Sequence, residues 1–150
     1  MNISAFEGLF WQIMVYLTRR ERFSAAHRLM KPGLSDSENI ALYGQCANPS
    51  WHGHNYVLWV TIRGNVQEDM GYVVDLKDVS AIIKERVVEK LDHKNINTEV
   101  DFMQNVIAST ENLAVGIWKQ LEPEIRKLGV ELHRVKLEET ENNSVEYFGE

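Results

Sequence analysis

From Val15 to Arg22, apolar and charged residues mix at strand-like spacing and lead into Phe23-Ser24-Ala25-Ala26-His27, which predicts a first strand closing near His27. Pro32, Gly33, Ser35, Asp36 and Ser37 break any regular pattern after it. Asp36 to Tyr43 then reads as a short helix ended by Gly44, and residues 46–51 read as a loop. Between His52 and Ile62 the even positions are His, His, Tyr, Leu, Val and Ile, and the odd ones Gly, Asn, Val, Trp and Thr. That period of two is a strand with both faces partly apolar, so its sheet needs cover on both sides: helices on one, with a second subunit as a candidate for the other.

Gly64 and Asn65 predict a turn, residues 71–74 a short extended piece, and Asp75 a cap for a helix from Leu76. Leu76, Val79, Ile83 and Val87 form the stripe expected to face the core. A second helix is expected from Ser109 or Thr110, both good caps, with Glu111 facing the positive end of the helix dipole. Leu113, Ile117 and Leu121 give its buried face, Pro123 is expected to interrupt or restart it, and Gly129 to close it. Residues 130–139 alternate as a strand, Asn142 and Asn143 mark a turn, and residues 145–148 make a last strand. The order ββααββ predicts an α+β domain, a four-stranded antiparallel sheet with two helices on one face.

A chain of 150 residues makes one domain. Residues 1–14 are expected to be an extension in front of a domain at 15–150; the apolar run from Ile3 to Leu17 holds Glu7 and Gln12 and is too short to span a membrane. Sixteen basic against 22 acidic residues give a net charge of -6, which argues against a general nucleic-acid binder. A single cysteine forms no internal disulfide and points to an intracellular, cytoplasmic protein.

The strongest chemical signal is His52-Gly53-His54, because residues two apart on a strand point to the same face. If the two strands pair antiparallel, His27 completes a three-histidine set of the kind that holds Zn²⁺ with a fourth position open. An isolated H-x-H is more often an ordinary pair of hydrogen-bonded histidines; the third histidine and a nearby cysteine shift the balance. Cys46 has three readings: an acid/base or nucleophilic thiol, a fourth ligand closing a structural zinc site, or the commoner inert free cysteine. Asp92-His93 offers a second acid/base pair, although alone such a dipeptide is usually a solvated loop. Among Glu138, Glu139 and Glu141, one carboxylate pointing into a pocket can accept two parallel N–H bonds from a 2-amino-4-oxo-pyrimidine ring. Arg19, Arg20, Arg22, Arg28 and Lys31 read as mostly solvated, with one or two candidates for a phosphate chain, and His133 has no assigned role.

Several ordered segments carry a resemblance to the 6-pyruvoyltetrahydropterin synthase family: F-S-A-A-H-R-L around His27, L-S-D-S-E-N, C-A-N-P-S-W-H-G-H-N-Y around Cys46, L-D-H-K-N at 91–95, S-T-E-N at 109–112 and E-T-E-N-N at 139–143. The resemblance covers about Leu17 to Glu150. It implies the tunnelling or T-fold and one Zn²⁺ per subunit on His27, His52 and His54. It further implies Cys46 as the proton-abstracting base, Asp92 and His93 as an acid/base relay, and Glu139 as the pterin anchor that joins it. Ser109, Thr110 and Glu111 would meet the pterin ring. The implied assembly is a homohexamer, a dimer of trimers, with active sites where subunits meet.

The implied reaction converts 7,8-dihydroneopterin triphosphate into 6-pyruvoyl-5,6,7,8-tetrahydropterin and triphosphate, in tetrahydrobiopterin biosynthesis, with Mg²⁺ as a candidate companion of the triphosphate. The alternative is 6-carboxy-5,6,7,8-tetrahydropterin synthase of queuosine biosynthesis, in which the gap from Cys to H-G-H is typically shorter than the five residues between Cys46 and His52. A folate-pathway relative with Glu in place of Cys ranks third, and a non-catalytic pterin- or zinc-binding module is the alternative of a different class. One departure stands out: Ser50-Trp51 occupies the place where eukaryotic members often have Asn-Gly.

Overall fold

The structure, a computed structural model, describes residues 13–150, so the expected extension at 1–14 lies almost wholly outside the described residues. In chain order the elements are β1 (Met14–His27), α1 (Asp36–Tyr43), a 3-10 turn (Gly44–Ala47), β2 (His52–Asn65), α2 (Leu76–Ile83), β3 (Lys94–Asn95), α3 (Ile96–Glu99), α4 (Thr110–Lys127), β4 (Glu131–Thr140) and β5 (Asn143–Tyr147). The sheet order is β3-β1-β2-β4-β5, antiparallel except for the parallel β3–β1 pair. It has five strands where four were expected, because β3 is two residues long and too short to leave a periodic pattern.

The odd residues of β1 and the even residues of β2 face the helices, and Phe23, Ala25, Tyr56, Leu58, Val60 and Ile62 are buried there. Across β4, Leu132, Val135 and Leu137 extend the same layer. The opposite face carries Arg20 stacked over the Trp59 ring at 5.3 Å, with the Trp59 indole N–H donating to Glu138 at 3.2 Å. The double-sided apolar pattern of β2 thus meets a helix layer on one side and a partly polar, open face on the other.

Gly64 and Asn65 do not open a turn; they are the last residues of β2. A Cβ at position 64 would stand 2.7 Å from a Val73 methyl and 3.2 Å from a Val130 methyl, so this glycine serves close packing. Residues 71–74 are bent rather than extended, closed by backbone bonds between Gln67 and both Gly71 and Tyr72.

Asp75 caps α2, accepting from the Lys77 N–H at 2.8 Å. The helix runs through a π-helical turn (Lys84–Val88) into a last turn, Glu89–Leu91. Val79, Ile83, Val87 and Leu91 are all buried. A strict spacing of four drifts by about 40° per step around a helix of 3.6 residues per turn, and the wider π turn takes up that drift. Leu76 departs from the expected stripe and is 44% exposed, since the first turn stands beside Arg19 at the sheet edge.

Pro123 neither interrupts nor restarts α4, which continues to Lys127. Its missing N–H frees the Lys119 carbonyl, but both residues lie on the solvent side, while Leu113, Ile117, Leu121 and Ile125 are buried. Tertiary packing of that stripe outweighs the local cost.

Candidate functional site

The antiparallel register sets His27 directly opposite His52, and the two-residue step along β2 adds His54 on the same face. Ring centroids are 4.5 Å apart for His27 and His52, 5.2 Å for His27 and His54, and 5.1 Å for His52 and His54. Gly53 between the two β2 histidines permits the close strand approach, for a Cβ there would stand 3.2 Å from the Ala25 carbonyl oxygen.

One nitrogen from each ring lies within 4.8 Å of the other two. A shared tetrahedral ion requires about 3.3 Å between ligand nitrogens at ordinary Zn–N lengths. His27 is 3% exposed, and its Nδ1 sits 2.7 Å from the Ala108 carbonyl, the kind of contact that fixes a tautomer and leaves Nε2 for a ligand bond. His52 Nδ1 is buried with no hydrogen-bond partner. Burial holds all three imidazoles below their ordinary pKa, and repulsion from a neighbouring histidine adds to it, which keeps them neutral as metal ligands must be. The donor set therefore fits a dication, and the three-nitrogen composition suits zinc.

Cys46 is exposed and is not part of the histidine cluster. It follows α1, whose start is set by a capping box in which Ser35 and Glu38 bond each other's backbone N–H. With His27, it lines a cavity of about 510 Å³, bounded also by Ser109, Thr110, Glu111 and Glu139, and by residues 142–145 at the β4–β5 turn and the start of β5. Ser109 caps α4 and accepts from the Asn112 N–H at 3.2 Å, which fixes the three-residue run 109–111 at this wall. No lysine or arginine lines this cavity, so the basic residues named as candidates for a phosphate chain lie outside its wall within one chain.

Glu139 is the carboxylate of the acidic run that enters the cavity. It accepts from the Thr110 hydroxyl at 2.6 Å, and its Oε1 stands 3.5 Å from His27 Nε2 and 3.7 Å from His54 Nε2. The β4–β5 pairing skips it: Glu138 pairs Ser144 and Thr140 pairs Asn143, leaving Glu139 in a β-bulge.

Asp92 and His93 lie elsewhere. His93 lines a separate groove with Ser24, Ala26, Gly53, His54 and Lys94, at the end of β1 and β2, and is not on the wall that holds Cys46. Its Nδ1 is 2.9 Å from Asp92, its side chain is 83% exposed, and its backbone takes a positive φ of 58°, held by an N–H bond to the Ser24 carbonyl. The Ser24 N–H donates to Asp92 at 2.8 Å, and this bond, with the neighbouring His93, pulls the Asp92 carboxyl below its ordinary range.

Tyr56 went unread in the sequence as a site residue. It is fully buried, its hydroxyl is 3.5 Å from His27 Nε2, and burial, with the charge of Glu139, pushes its phenol upward. The same period of two that singled out His52 and His54 places Tyr56 next on that face.

A five-stranded, mostly antiparallel sheet backed by helices, with three inward histidines at one end, defines a T-fold protein with a candidate metal centre. The family described as 6-pyruvoyl tetrahydropterin synthase matches residues 16–150. A Dictyostelium discoideum 6-pyruvoyl tetrahydrobiopterin synthase is 48% identical over 91% of this chain and 97% of its own, and the Homo sapiens protein of that name is 44% identical over 89% and 91%. The structure of Caenorhabditis elegans 6-pyruvoyl tetrahydropterin synthase superposes with a TM-score of 0.86 at 35% identity, covering 94% of this chain and 99% of that one. The chain belongs to the 6-pyruvoyl tetrahydropterin synthase family, a family of enzymes.

Proposed function

We propose that the chain is a zinc-dependent lyase that converts 7,8-dihydroneopterin triphosphate into 6-pyruvoyl-5,6,7,8-tetrahydropterin and triphosphate, a step of tetrahydrobiopterin formation. The observation that carries this reading is one cavity bordered by His27 of the histidine cluster, a free thiol on Cys46 and an inward carboxylate on Glu139. Its volume, about 510 Å³, suits a bicyclic ring with a short side chain. The two products together contain every atom of the substrate, so no external oxidant or reductant is required.

His27, His52 and His54 would hold the Zn²⁺, which would supply Lewis acidity toward oxygens of the substrate side chain. Glu139, steadied by Thr110, accepts two parallel N–H bonds from the pterin ring, and Ser109 and Glu111 border that ring. Cys46 removes side-chain protons, and His93, oriented by Asp92, returns one to the ring while the triphosphate leaves with the electron pair of its C–O bond.

This scheme needs Cys46 and His93 together, and within one chain they line different cavities. A second copy supplying Asp92 and His93 to the Cys46 cavity meets that need, in line with a homohexamer whose sites lie between subunits. It also gives the triphosphate, with or without Mg²⁺, access to basic residues that the cavity of one chain lacks. We assign the protein to the cytoplasm on its unpaired Cys46; among the described residues, no helix is long and apolar enough to cross a membrane.

Incubation of the zinc-loaded protein with 7,8-dihydroneopterin triphosphate, followed by identification of the pterin, tests the reading. The pyruvoyl product supports it. Release of acetaldehyde with 6-carboxytetrahydropterin assigns the carboxy branch instead, and tight pterin binding without turnover makes the chain a binding module.

A further inference from the structure

Trp51 has a backbone φ of 65°, a region where a bulky aromatic residue is strained. It directly precedes His52 and ends the loop of residues 46–51, whose first two residues, Cys46 and Ala47, close the 3-10 turn (Gly44–Ala47). Its indole covers the Arg28 guanidinium, whose carbon is 5.0 Å from the ring centroid. Arg28 directly follows His27, the partner of His52 across the strands.

Arg28 is also tied through its backbone and one end of its guanidinium. Its backbone N–H donates to the Asn97 side chain at 3.1 Å, and its carbonyl accepts from the same amide at 3.0 Å. Its guanidinium reaches Asp36 of α1 at 3.1 Å, and its Nε is buried without a partner. The loop is joined to this anchor a second time, where the Leu29 N–H donates to the Cys46 carbonyl at 2.7 Å. Inside the loop, the Trp51 N–H donates to the Asn48 carbonyl at 3.0 Å and the Ser50 N–H to the Asn48 side chain at 2.8 Å.

From this geometry we propose that Trp51 is a positioning residue: clasped on Arg28, it sets the loop that carries Cys46 against the end of β1. The strain at residue 51 is offset by cation–π stacking on Arg28, whose guanidinium is held by Asp36 of α1 and whose backbone is held by Asn97 of α3. The clasp fixes where the Cys46 thiol stands relative to His27 and His52 without touching substrate. Its catalytic consequence rests on the function proposed above; the loop geometry does not.

The test combines steady-state kinetics, metal titration and amide exchange at Leu29, whose N–H reports the loop contact in the absence of substrate. For Trp51→Ala, kcat falls about tenfold or more with KM and metal affinity within about twofold, and Leu29 exchanges about tenfold faster. Trp51→Phe keeps a stacking ring and restores most of both readouts. Trp51→Gly accepts the positive φ without strain, so it provides a folded variant in which the indole alone is missing, and it shows the same losses as Trp51→Ala. Arg28→Met, which also removes the ion pair to Asp36, reproduces them, and its effect on these readouts adds little to that of Trp51→Ala in the double variant because the stacking contact is shared. Unchanged kcat and Leu29 exchange in Trp51→Gly overturn the proposal even if melting falls. Absence of turnover in the parent protein sinks the functional reading, while the exchange series still decides the clasp.

Discussion

The three histidines and the Asp92–His93 pair stand near the same end of the sheet but are held by different means. His27, His52 and His54 are carried on two 14-residue strands paired along their whole length, so their spacing is a property of the register. Asp92 and His93 sit at the exit of a helical segment, where the His93 N–H bond to the Ser24 carbonyl, the Ser24 N–H bond to the Asp92 carboxylate and a positive φ hold an exposed ring in place. A ligand set for an ion needs sub-ångström constancy, which a long ladder supplies. The role proposed for Asp92 and His93, a proton relay offered to a neighbouring molecule, needs reach, which a turn supplies.

The contrast is open to direct attack, beginning with the strand side. His52→Ala leaves two ligands and is expected to abolish stoichiometric metal binding, with turnover down about a thousandfold or more; retention of both in metal analysis and product assay would break the comparison. Cys46→Ser is expected to keep the metal and lose turnover by about 10²–10⁴, a range typical of acid/base groups, whereas metal loss in that variant would restore the thiol as a fourth ligand.

His93→Asn is expected to lower turnover about a hundredfold with metal content unchanged. Co-refolding it with Cys46→Ser should recover part of the activity if each cavity draws on two chains, and no recovery would confine the site to one. The smallest effect concerns acidity. The Asp92 carboxyl is held below its ordinary value of 3.8, so the stability it lends is present above that pH and is lost as the pH falls through the depressed value. The advantage of the parent over Asp92→Asn in acid-unfolding curves should therefore shrink below pH 3.8; an advantage that grows there would reverse the assignment.

The strand side was legible in the sequence and the turn side only in part, for a physical reason. Alternation writes itself into the residues of a strand, so His52, His54 and the antiparallel partner His27 followed from spacing, and the ββααββ order from the same patterns. What spacing does not carry is the destination of a turn: the groove chosen by His93, the left-handed backbone of Trp51, or the two-residue β3. The π turn in α2 was hidden in plain view, since the run Val79, Ile83, Val87, Leu91 keeps a strict four-residue step. Pro123 misled because the local rule concerns backbone bonds, whereas the outcome was set by where the freed carbonyl faces.

Glu139 belongs to β4 covalently yet is passed over by the pairing with β5. Substitution there is expected to leave the β5 ladder intact and, under the proposed role of Glu139, to change what the cavity recognises. Ligand choice and foldability are thus separable at this position, which makes residue 139 the natural first place to redirect the scaffold toward rings that lack an amino group beside a ring N–H. A neutral acceptor such as glutamine at that bulge retains the chain's architecture and offers the incoming molecule a different hydrogen-bonding edge.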